Sequence, residues 1–444
     1  MMKTRLLKNE AIPQACLCAL RTLEKSGYEA WIVGGAVRDL LLGKEVKDWD
    51  IASNADVETL LQCFSAYRCL EMGRAHGTIT VLIDAQPLEI TSFRGREASL
   101  VGDLALRDFT LNAMAYHPER GLRDPFGGQK ALQAGVVCAV GSAVERLRED
   151  PLRILRALRF ASQLDMRIEQ ETFRAMCELA PALAQVACER VREELNGLLL
   201  GQAAGRMLRT APQILAVVLP EITPMLGFEQ HNKYHYLDVW NHTVEVIVHC
   251  PTDLLLRWAA LFHDMGKPDT FTRDANGCGH FYGHPRESMR HAAEIMTRLK
   301  FDKKSCETIL FLVEHHDMAI AHSPRSVRKA IQRFDYEPLK RLLPLVHADT
   351  AAHSDLCTGR HEEIDRFEEM LDAVYQENGR FTRKDLAING HDLTALGFQG
   401  ASLAEILEDL VNAVVFEGCE NTREALLERV HSSFDKYGTS CADA

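Results

Sequence analysis

The sequence predicts an α+β protein, in which a strand-bearing N-terminal head is followed by a long all-helical body. Three observations carry this. The strand-like segments GYEAWIVGG, DWDIAS, HGTITVLID and PLEITSF all fall before residue 95. From Ser142 onward apolar residues recur at helical spacing, as in LRILRALRFASQL. The composition, with 46% apolar and 26% charged residues, is that of an ordinary folded chain.

The elements follow in order. Residues 11–26 carry apolar positions at helical spacing, and GYEAWIVGG reads as a buried strand ending at a glycine turn. VRDLLLG is a short helix and DWDIAS a second strand. HGTITVLID (76–84) and PLEITSF (87–93) form a hairpin, with its turn between Asp84 and Pro87. Pro181 and the glycines at 197, 201 and 205 punctuate the first helical stretch. Residues 235–317 continue as helices around several histidines. Residues 325–444 are helical again, broken at Asn389-Gly390. No internal repeat or low-complexity segment interrupts them.

A length of 444 residues predicts roughly two to four domains. The composition excludes disordered, collagenous and coiled-coil readings. A net charge of −12 argues against nonspecific adhesion to nucleic acid by the chain as a whole, leaving only a local basic surface for such a partner. The 13 cysteines show no paired CxxC spacing of the zinc-site kind. MMKTRLLKNE lacks the apolar stretch of a signal peptide, and no run reaches the length of a membrane span. The expectation is a cytoplasmic protein with reduced thiols and no membrane partner.

Chemistry concentrates first in GGAVRD (34–39) and DWD (48–50). On a strand, Asp48 and Asp50 share one face while Trp49 packs behind. Two adjacent carboxylates repel unless a cation lies between them, and Mg²⁺ favours such oxygen donors together with phosphate. Gly34 and Gly35 bring backbone amides close to a triphosphate without obstruction, and Arg38 can pair with a phosphate. A lone DxD is usually a solvated strand end. The joint order of two glycines, Arg-Asp, a helix and then DWD is far less ordinary.

These motifs, with LRDFTLNAMAY (106–116), DPFGG (124–128), EDPLRILRALRF (149–160) and ERVREEL (189–195), closely resemble the bacterial tRNA nucleotidyltransferase/poly(A) polymerase family, within the polymerase-beta-like nucleotidyltransferases. The resemblance implies a head with a mixed sheet (1–141), a base-reading helical neck (142–225), a body (226–355) and a tRNA-contacting tail (356–444). It implies two Mg²⁺ ions held by Asp48 and Asp50, with Glu89 as a third catalytic acid, and transfer to a tRNA 3′ end with pyrophosphate leaving. Arg107 and Asp108 match the ribose-contacting motif, although Leu106 stands where the family usually has a second arginine. Asp150 and Arg153 match the motif that reads C and A without a template. On one helix they would share a face; by composition alone such a pair is an ordinary salt bridge. Glu149 would orient Arg153, and Arg156 and Arg159 would face the triphosphate or the tRNA backbone.

One departure bears on the product. Only GREASLVG (95–102) lies between Arg94 and Asp103, where full CCA-adding relatives carry some twenty residues linked to the switch from C to A. The favoured expectation is therefore a CC-adding enzyme that uses CTP, with ATP as a possible second substrate. The alternatives are full CCA addition, A addition, poly(A) synthesis, or a non-catalytic RNA-binding module.

A second constellation occupies 235–349: His242, His263-Asp264, His284, His315 and Asp349. HDMGKP resembles the HD domain of metal-dependent phosphohydrolases, with His242, His263, Asp264 and Asp349 as the minimal set. Imidazole ligands suit Ni²⁺, Mn²⁺ or Fe better than Mg²⁺. A packing or RNA-contacting module without metal is the plainer alternative. RSVRKAIQRFDYEPLKR (325–341), with six basic against two acidic residues, is expected to offer a stripe to the tRNA acceptor stem or elbow. DLAINGHDLTALGFQG (385–400) is expected to be a helix-turn-helix packing unit. The oligomeric state is open.

Overall fold

The computed structural model describes residues 11–71, 73–95, 98–378 and 381–432. MMKTRLLKNE, and Arg96 and Glu97 of the short GREASLVG segment, lie outside the described residues. The rest falls into two compact units. One runs to Thr223 and includes Arg298–Lys300; the other comprises Pro224–Thr297 and the chain from Phe301 onward.

The first unit opens with helix α1 (Gln14–Lys25), strand β1 (Ala30–Val33), α2 (Gly35–Leu42), β2 (Asp50–Ser53), α3 (Val57–Cys63) and β3 (Arg68–Leu70). The hairpin β4 (Thr78–Ile83) and β5 (Gln86–Ser92) follows, then α4 (Leu100–Ala105), β6 (Ala115–His117) and β7 (Gly121–Arg123). These strands form one mixed sheet in the order β3-β4-β5-β2-β1-β6-β7. Only β2 and β5 run parallel, with Asp50 in register with Glu89; the other pairs are antiparallel. The β4–β5 turn consists of Asp84 and Ala85, both at positive φ, which matches the twist of a tight hairpin. Central β1 is buried along its whole length, whereas β4 alternates between buried and half-buried, as a strand with one covered face should.

The helical part of this unit comprises α5 (Gly128–Ala134), β8 (Val136–Val137), α6 (Ala143–Glu149), α7 (Arg153–Gln163), β9 (Arg167–Ile168), α8 (Gln170–Leu179), α9 (Cys188–Leu199), α10 (Ala204–Thr210) and α11 (Pro212–Val218). β9 pairs in parallel with β8. Helices α7 and α9 pack very closely. A Cβ on Gly197 would overlap the Arg159 stem, and one on Gly201, just beyond α9, would overlap Ser162. Only hydrogen fits at either position.

The second unit contains α12 (Val239–His249), α13 (Leu254–Phe262), α14 (Lys267–Thr270), the short β10 (Thr272–Arg273) and β11 (Gly279–His280), α15 (His284–Arg298), α16 (Lys303–His315), α17 (Pro324–Phe334), α18 (Tyr336–Ala351) and α19 (Gly359–Asn378). It closes with α20 (Gly390–Ala395), α21 (Ala401–Asn412) and α22 (Arg423–Ser432). Asn389 starts α20 with a capping box shared with Asp392. Leu386, Ile388, Leu393, Phe398, Ile406 and Leu410 then form a small core of their own, consistent with a packing role for 385–400. No helix among the described residues is long and apolar enough to cross a membrane.

Candidate functional site

A cavity of about 760 Å³ in the first unit is lined by Gly34, Gly35, Arg38, Asp48, Asp50, Arg107, Asp108, Asp150, Arg153, Arg156 and Arg159. The structure thus gathers all but two of the head and neck candidates onto one surface. Glu89 stands one strand over, in register with Asp50, and Glu149 is outside the lining, bonded to Arg153.

Local sequence explains the placement. Gly34 adopts φ 74°, ψ −133° between β1 and α2, a conformation costly for any other residue. A Cβ there would lie 2.6 Å from Arg107 Nη1 and 3.5 Å from Asp50 Oδ2, so the bare backbone lets that guanidinium and carboxylate approach. Asp50 opens β2, whereas Asp48 lies in the loop before it, with buried Trp49 between them. The expectation that both aspartates sit on the strand is thereby corrected, although both still line the cavity. Burial pushes the Asp50 carboxyl up to about 6; Arg107 opposes this, and Glu89 and Asp48 reinforce it. A buried carboxylate with two acidic neighbours suits a hard divalent cation with oxygen ligands, so Asp48 and Asp50 fit Mg²⁺.

Around them the arginines are held by acids and carbonyls. Arg38 donates to Asp39 at 2.8 and 2.9 Å and to Asn112 Oδ1 at 2.8 Å. Arg107 donates from Nε and Nη2 to Asp103, both at 3.2 Å. Asp108 is buried and already saturated. Arg156 donates to its Oδ2 at 2.9 and 2.7 Å, and Asn112 Nδ2 and the Phe109 amide donate to Oδ1 at 3.0 and 2.8 Å. Burial alone would raise this carboxyl; Arg156 and these hydrogen bonds outweigh it and hold the group below its ordinary value. Arg156 and Arg159 share Glu194 as a second partner, at 3.6 and 2.5 Å.

The base-reading pair needs a correction. Asp150 and Arg153 are not on one helix. Asp150 closes α6 in an extended conformation (φ −145°, ψ 101°), and Arg153 is the first residue of α7. Pro151 is the cause, since the residue before a proline is driven out of the helical region. Asp150 accepts from the Leu152 amide at 3.2 Å and from Arg190 Nη2 at 2.8 Å. Arg153 donates to Glu149 at 2.8 Å, to the Arg146 carbonyl at 2.9 Å and to the Leu106 carbonyl at 3.3 Å. ERVREEL also carries Arg190 and Glu194, to which the motif by itself assigns no task. Their i, i+4 spacing on α9 puts them on one face, where Arg190 lines the cavity and Glu194 holds Arg156 and Arg159.

In the second unit, His242 on α12, His263 and Asp264 just past α13, and Asp349 on α18 converge. His242 Nε2 lies 3.0 Å from Asp349 Oδ1 and 3.5 Å from Asp264 Oδ2; His263 Nε2 is 3.2 Å from Asp264 Oδ2 and 3.7 Å from Asp349 Oδ1. His284 and His316 join them, with Nε2 atoms 3.3 and 3.8 Å from Asp264 Oδ1. His315, the residue singled out in VEHHD, packs instead on Phe311 and Phe334. The buried face of α16 runs through Ile309, Leu312 and Val313, and the next position on it is 316. In His242, His263, His284 and His316 the Nδ1 atom meets a backbone carbonyl, at 3.4, 2.7, 2.9 and 2.7 Å, which leaves each Nε2 aimed at the centre. Buried His263 Nε2 and Asp264 Oδ2 face each other across that 3.2 Å. Lys267 Nζ stands 2.7 Å from that oxygen. Burial, with His263 and His284 alongside, pushes His316 down to about 3, so its ring is neutral. Buried imidazole nitrogens converging on two carboxylates fit a transition cation.

The basic stripe at 325–341 is largely engaged. Lys340 pairs with Asp372 at 2.7 Å and Glu368 at 2.9 Å, and Arg341 pairs with Asp253 at 2.8 Å. Arg325 donates to the Phe416 carbonyl, and Lys329 sits over the Phe416 ring. The continuous phosphate-binding stripe expected from composition is therefore reduced to part of α17.

Family profiles match the chain in the same order: "Poly A polymerase head domain" over 30–138, "HD domain" over 233–346 and tRNA nucleotidyltransferase domain 2 over 353–430. The CCA-adding enzyme of Anoxybacillus flavithermus is 30% identical over 437 residues, covering 95% of this chain and 97% of that protein. The A-adding tRNA nucleotidyltransferase of Deinococcus radiodurans is 36% identical over 363 residues, covering 77% and 80%. With the CCA-adding enzyme of Geobacillus sp. (strain WCH70) identity rises to 41% over 209 residues, but this chain then spans only about half of that relative's length (51%). The crystal structure of Bacillus stearothermophilus CCA-adding enzyme in complex with CTP superposes with a TM-score of 0.69 at 27% identity, covering 95% of this chain and 98% of that one. Identity of 30% over nearly the whole chain to one nucleotidyltransferase and of 36% over about three quarters of it to another, with a head carrying paired aspartates and an HD module, shows that the chain belongs to the tRNA nucleotidyltransferase/poly(A) polymerase family.

Proposed function

We propose that the protein is a template-independent tRNA 3′-terminal nucleotidyltransferase that transfers CMP from CTP and releases pyrophosphate. One observation carries the reading: the head carboxylates Asp48 and Asp50 and the neck pair Asp150 and Arg153 line the same cavity. Mg²⁺ held by Asp48 and Asp50, with Glu89 beside them, would activate the 3′-hydroxyl and neutralise the triphosphate. The remaining tasks fall to the chain itself. Gly34 and Gly35 leave the backbone open to the phosphates. Arg107 faces the sugar and triphosphate side. Asp108 acts through Arg156, which it fixes against the cavity wall, rather than by offering a free carboxylate to the ribose.

Base choice rests on two complementary edges. The Asp150 carboxylate accepts from the exocyclic amine of C or A, and the Arg153 guanidinium donates to the adjacent ring acceptor. G and U place the opposite group at the amine position. Arg190 and Glu149 hold the two readers at fixed separation. The eight residues between Arg94 and Asp103, of which 100–102 already belong to α4, leave little chain for a lever that would re-set the pocket from C to A. This favours addition of two cytidines.

A second reading is A addition, favoured by the 36% identity to the A-adding enzyme of Deinococcus radiodurans. Denaturing gels of tRNAs ending before CCA and after CC, incubated with CTP alone, ATP alone or both, separate these readings to one nucleotide. Two cytidines followed by a stall support CC addition, and AMP on the CC-ended tRNA with no use of CTP supports the second. The HD cluster we assign to a transition-metal phosphohydrolase centre, separate from nucleotide addition. Its buried ligand set is what supports that assignment.

A further inference from the structure

Asp103 is fully buried, and it faces two arginines, Arg94 and Arg107. Its Oδ1 accepts from Arg94 Nε at 3.0 Å and from the Arg94 amide at 3.3 Å; its Oδ2 accepts from Arg107 Nε and Nη2. Both arginines line the nucleotide cavity, and both lie close enough to Asp50 to act on its charge. Arg107 is nearly covered, whereas about half of the Arg94 side chain is exposed, so its guanidinium is the more accessible. Position 106 contributes no cation. Leu106 lies against Gly95, and its carbonyl is taken by Arg153.

We infer that Arg94 is a triphosphate-binding residue of this cavity, clamped by the buried Asp103 so that the strand end after β5 supplies the second cation that position 106 lacks. The inference rests on the nucleotidyltransferase reading and adds a ligand contact to it. A carboxylate that grips one guanidinium through each oxygen fixes their spacing, and both guanidinium groups line one cavity in which an anion can meet their spare N–H donors. Gly95, at φ 102°, turns the chain away directly after Arg94, and Ser99 caps α4 so that Asp103 is presented from its first turns. The short segment is thus closed by the same carboxylate that holds both arginines.

Because phosphates are common to all nucleotides, this contact should be blind to the base. Arg94→Ala in the full chain should weaken CTP binding, read by equilibrium dialysis, by roughly tenfold or more, the worth of one charge-assisted hydrogen bond. The KM values for CTP and ATP, wherever each is used, should rise by the same factor, with base preference unmoved. Binding of cytidine, which has no phosphate, should stay at the wild-type level. Adding Leu106→Arg to Arg94→Ala should recover most of the lost CTP affinity, because the new guanidinium enters from the neighbouring position on the same wall. Wild-type CTP affinity in Arg94→Ala would overturn the inference, as would an equal loss for cytidine and CTP. A double variant no better than Arg94→Ala would overturn the replacement of position 106. Dialysis keeps the two claims separate: protein that binds CTP through Arg94 but extends no tRNA would defeat the functional reading alone.

Discussion

The Asp108 carboxylate and the Arg156 guanidinium, 48 residues apart in sequence, meet through two hydrogen bonds of 2.9 and 2.7 Å. The pair joins the segment before β6 to α7, so the wall carrying Arg156 and Arg159 is fixed to the sheet that carries Asp50. Its acid member is buried while its basic member is one-third exposed, which limits the desolvation cost on one side.

That pair makes stability depend on pH. The folded carboxyl lies below its ordinary value of 3.8, so its contribution is complete above that pH and is lost as pH falls through the folded value. Asp108→Asn should cost about 1–3 kcal/mol at neutral pH. The gap in urea midpoint between wild type and variant should narrow on acidification below 3.8. A gap that is constant with pH would show that shape, not charge, is what Asp108 provides.

Asp48→Ala and Asp50→Ala should each reduce nucleotide transfer by several orders of magnitude, whichever triphosphate is used. Filter binding of tRNA should change little, because both residues face the triphosphate. Near-normal turnover in both variants would remove these residues from the chemistry.

Asp150→Ala and Arg153→Ala should blunt discrimination among CTP, ATP, UTP and GTP before they abolish triphosphate binding. Each lost hydrogen-bonding edge is worth roughly 1–3 kcal/mol. Arg190→Ala should act in the same direction but more weakly, since it frees Asp150 without deleting it. Relative kcat/KM values for the four nucleotides provide the measurement. Unchanged ratios in all three variants would leave only structural ion pairs.

In the HD cluster, His263→Ala should lower bound Ni²⁺, Mn²⁺ or Fe, measured by elemental analysis after loading and desalting. Nucleotide addition should persist, because none of the HD residues lines the head cavity. Wild-type protein that retains no such metal would reduce the cluster to a scaffold.

Grafting the longer loop of a CCA-adding relative between Arg94 and Asp103 should allow AMP to follow the two cytidines, read on the same gels. The graft must leave both flanking residues in place, since they close the segment. A correctly folded graft that still stalls after CC would show that the segment's length does not set the stop.

Much of the head was legible because its chemistry is local in sequence. Two glycines, a helix and DWD lie within seventeen residues, 34–50, and the β4–β5 turn announces itself by a two-residue gap between alternating strands. What escaped depended on approaches across long stretches of chain. Nothing local tells Asp150 to pair with Arg190 rather than with Arg153; Pro151 separates the latter two, and α9 brings the former within reach. The choice of His316 over His315 follows from the phase of α16, which the motif HHD alone does not reveal. The basic run at 325–341 misled because composition counts charges without their partners, and Asp253, Glu368 and Asp372 lie far away in sequence.

The seam between α7 and α9 has a consequence for how such a protein can change. A Cβ at Gly197 would meet the Arg159 stem and one at Gly201 the Ser162 backbone, so no side chain can be added at this seam without pushing the two segments apart. A lineage, or a laboratory library, seeking a new base preference cannot obtain it by sliding one helix along the other. It must exchange side chains such as Asp150, Arg153 and Arg190 on a frame that stays still. The two glycines should therefore be as intolerant to random substitution as the residues that touch the nucleotide, although neither has a side chain with which to touch anything.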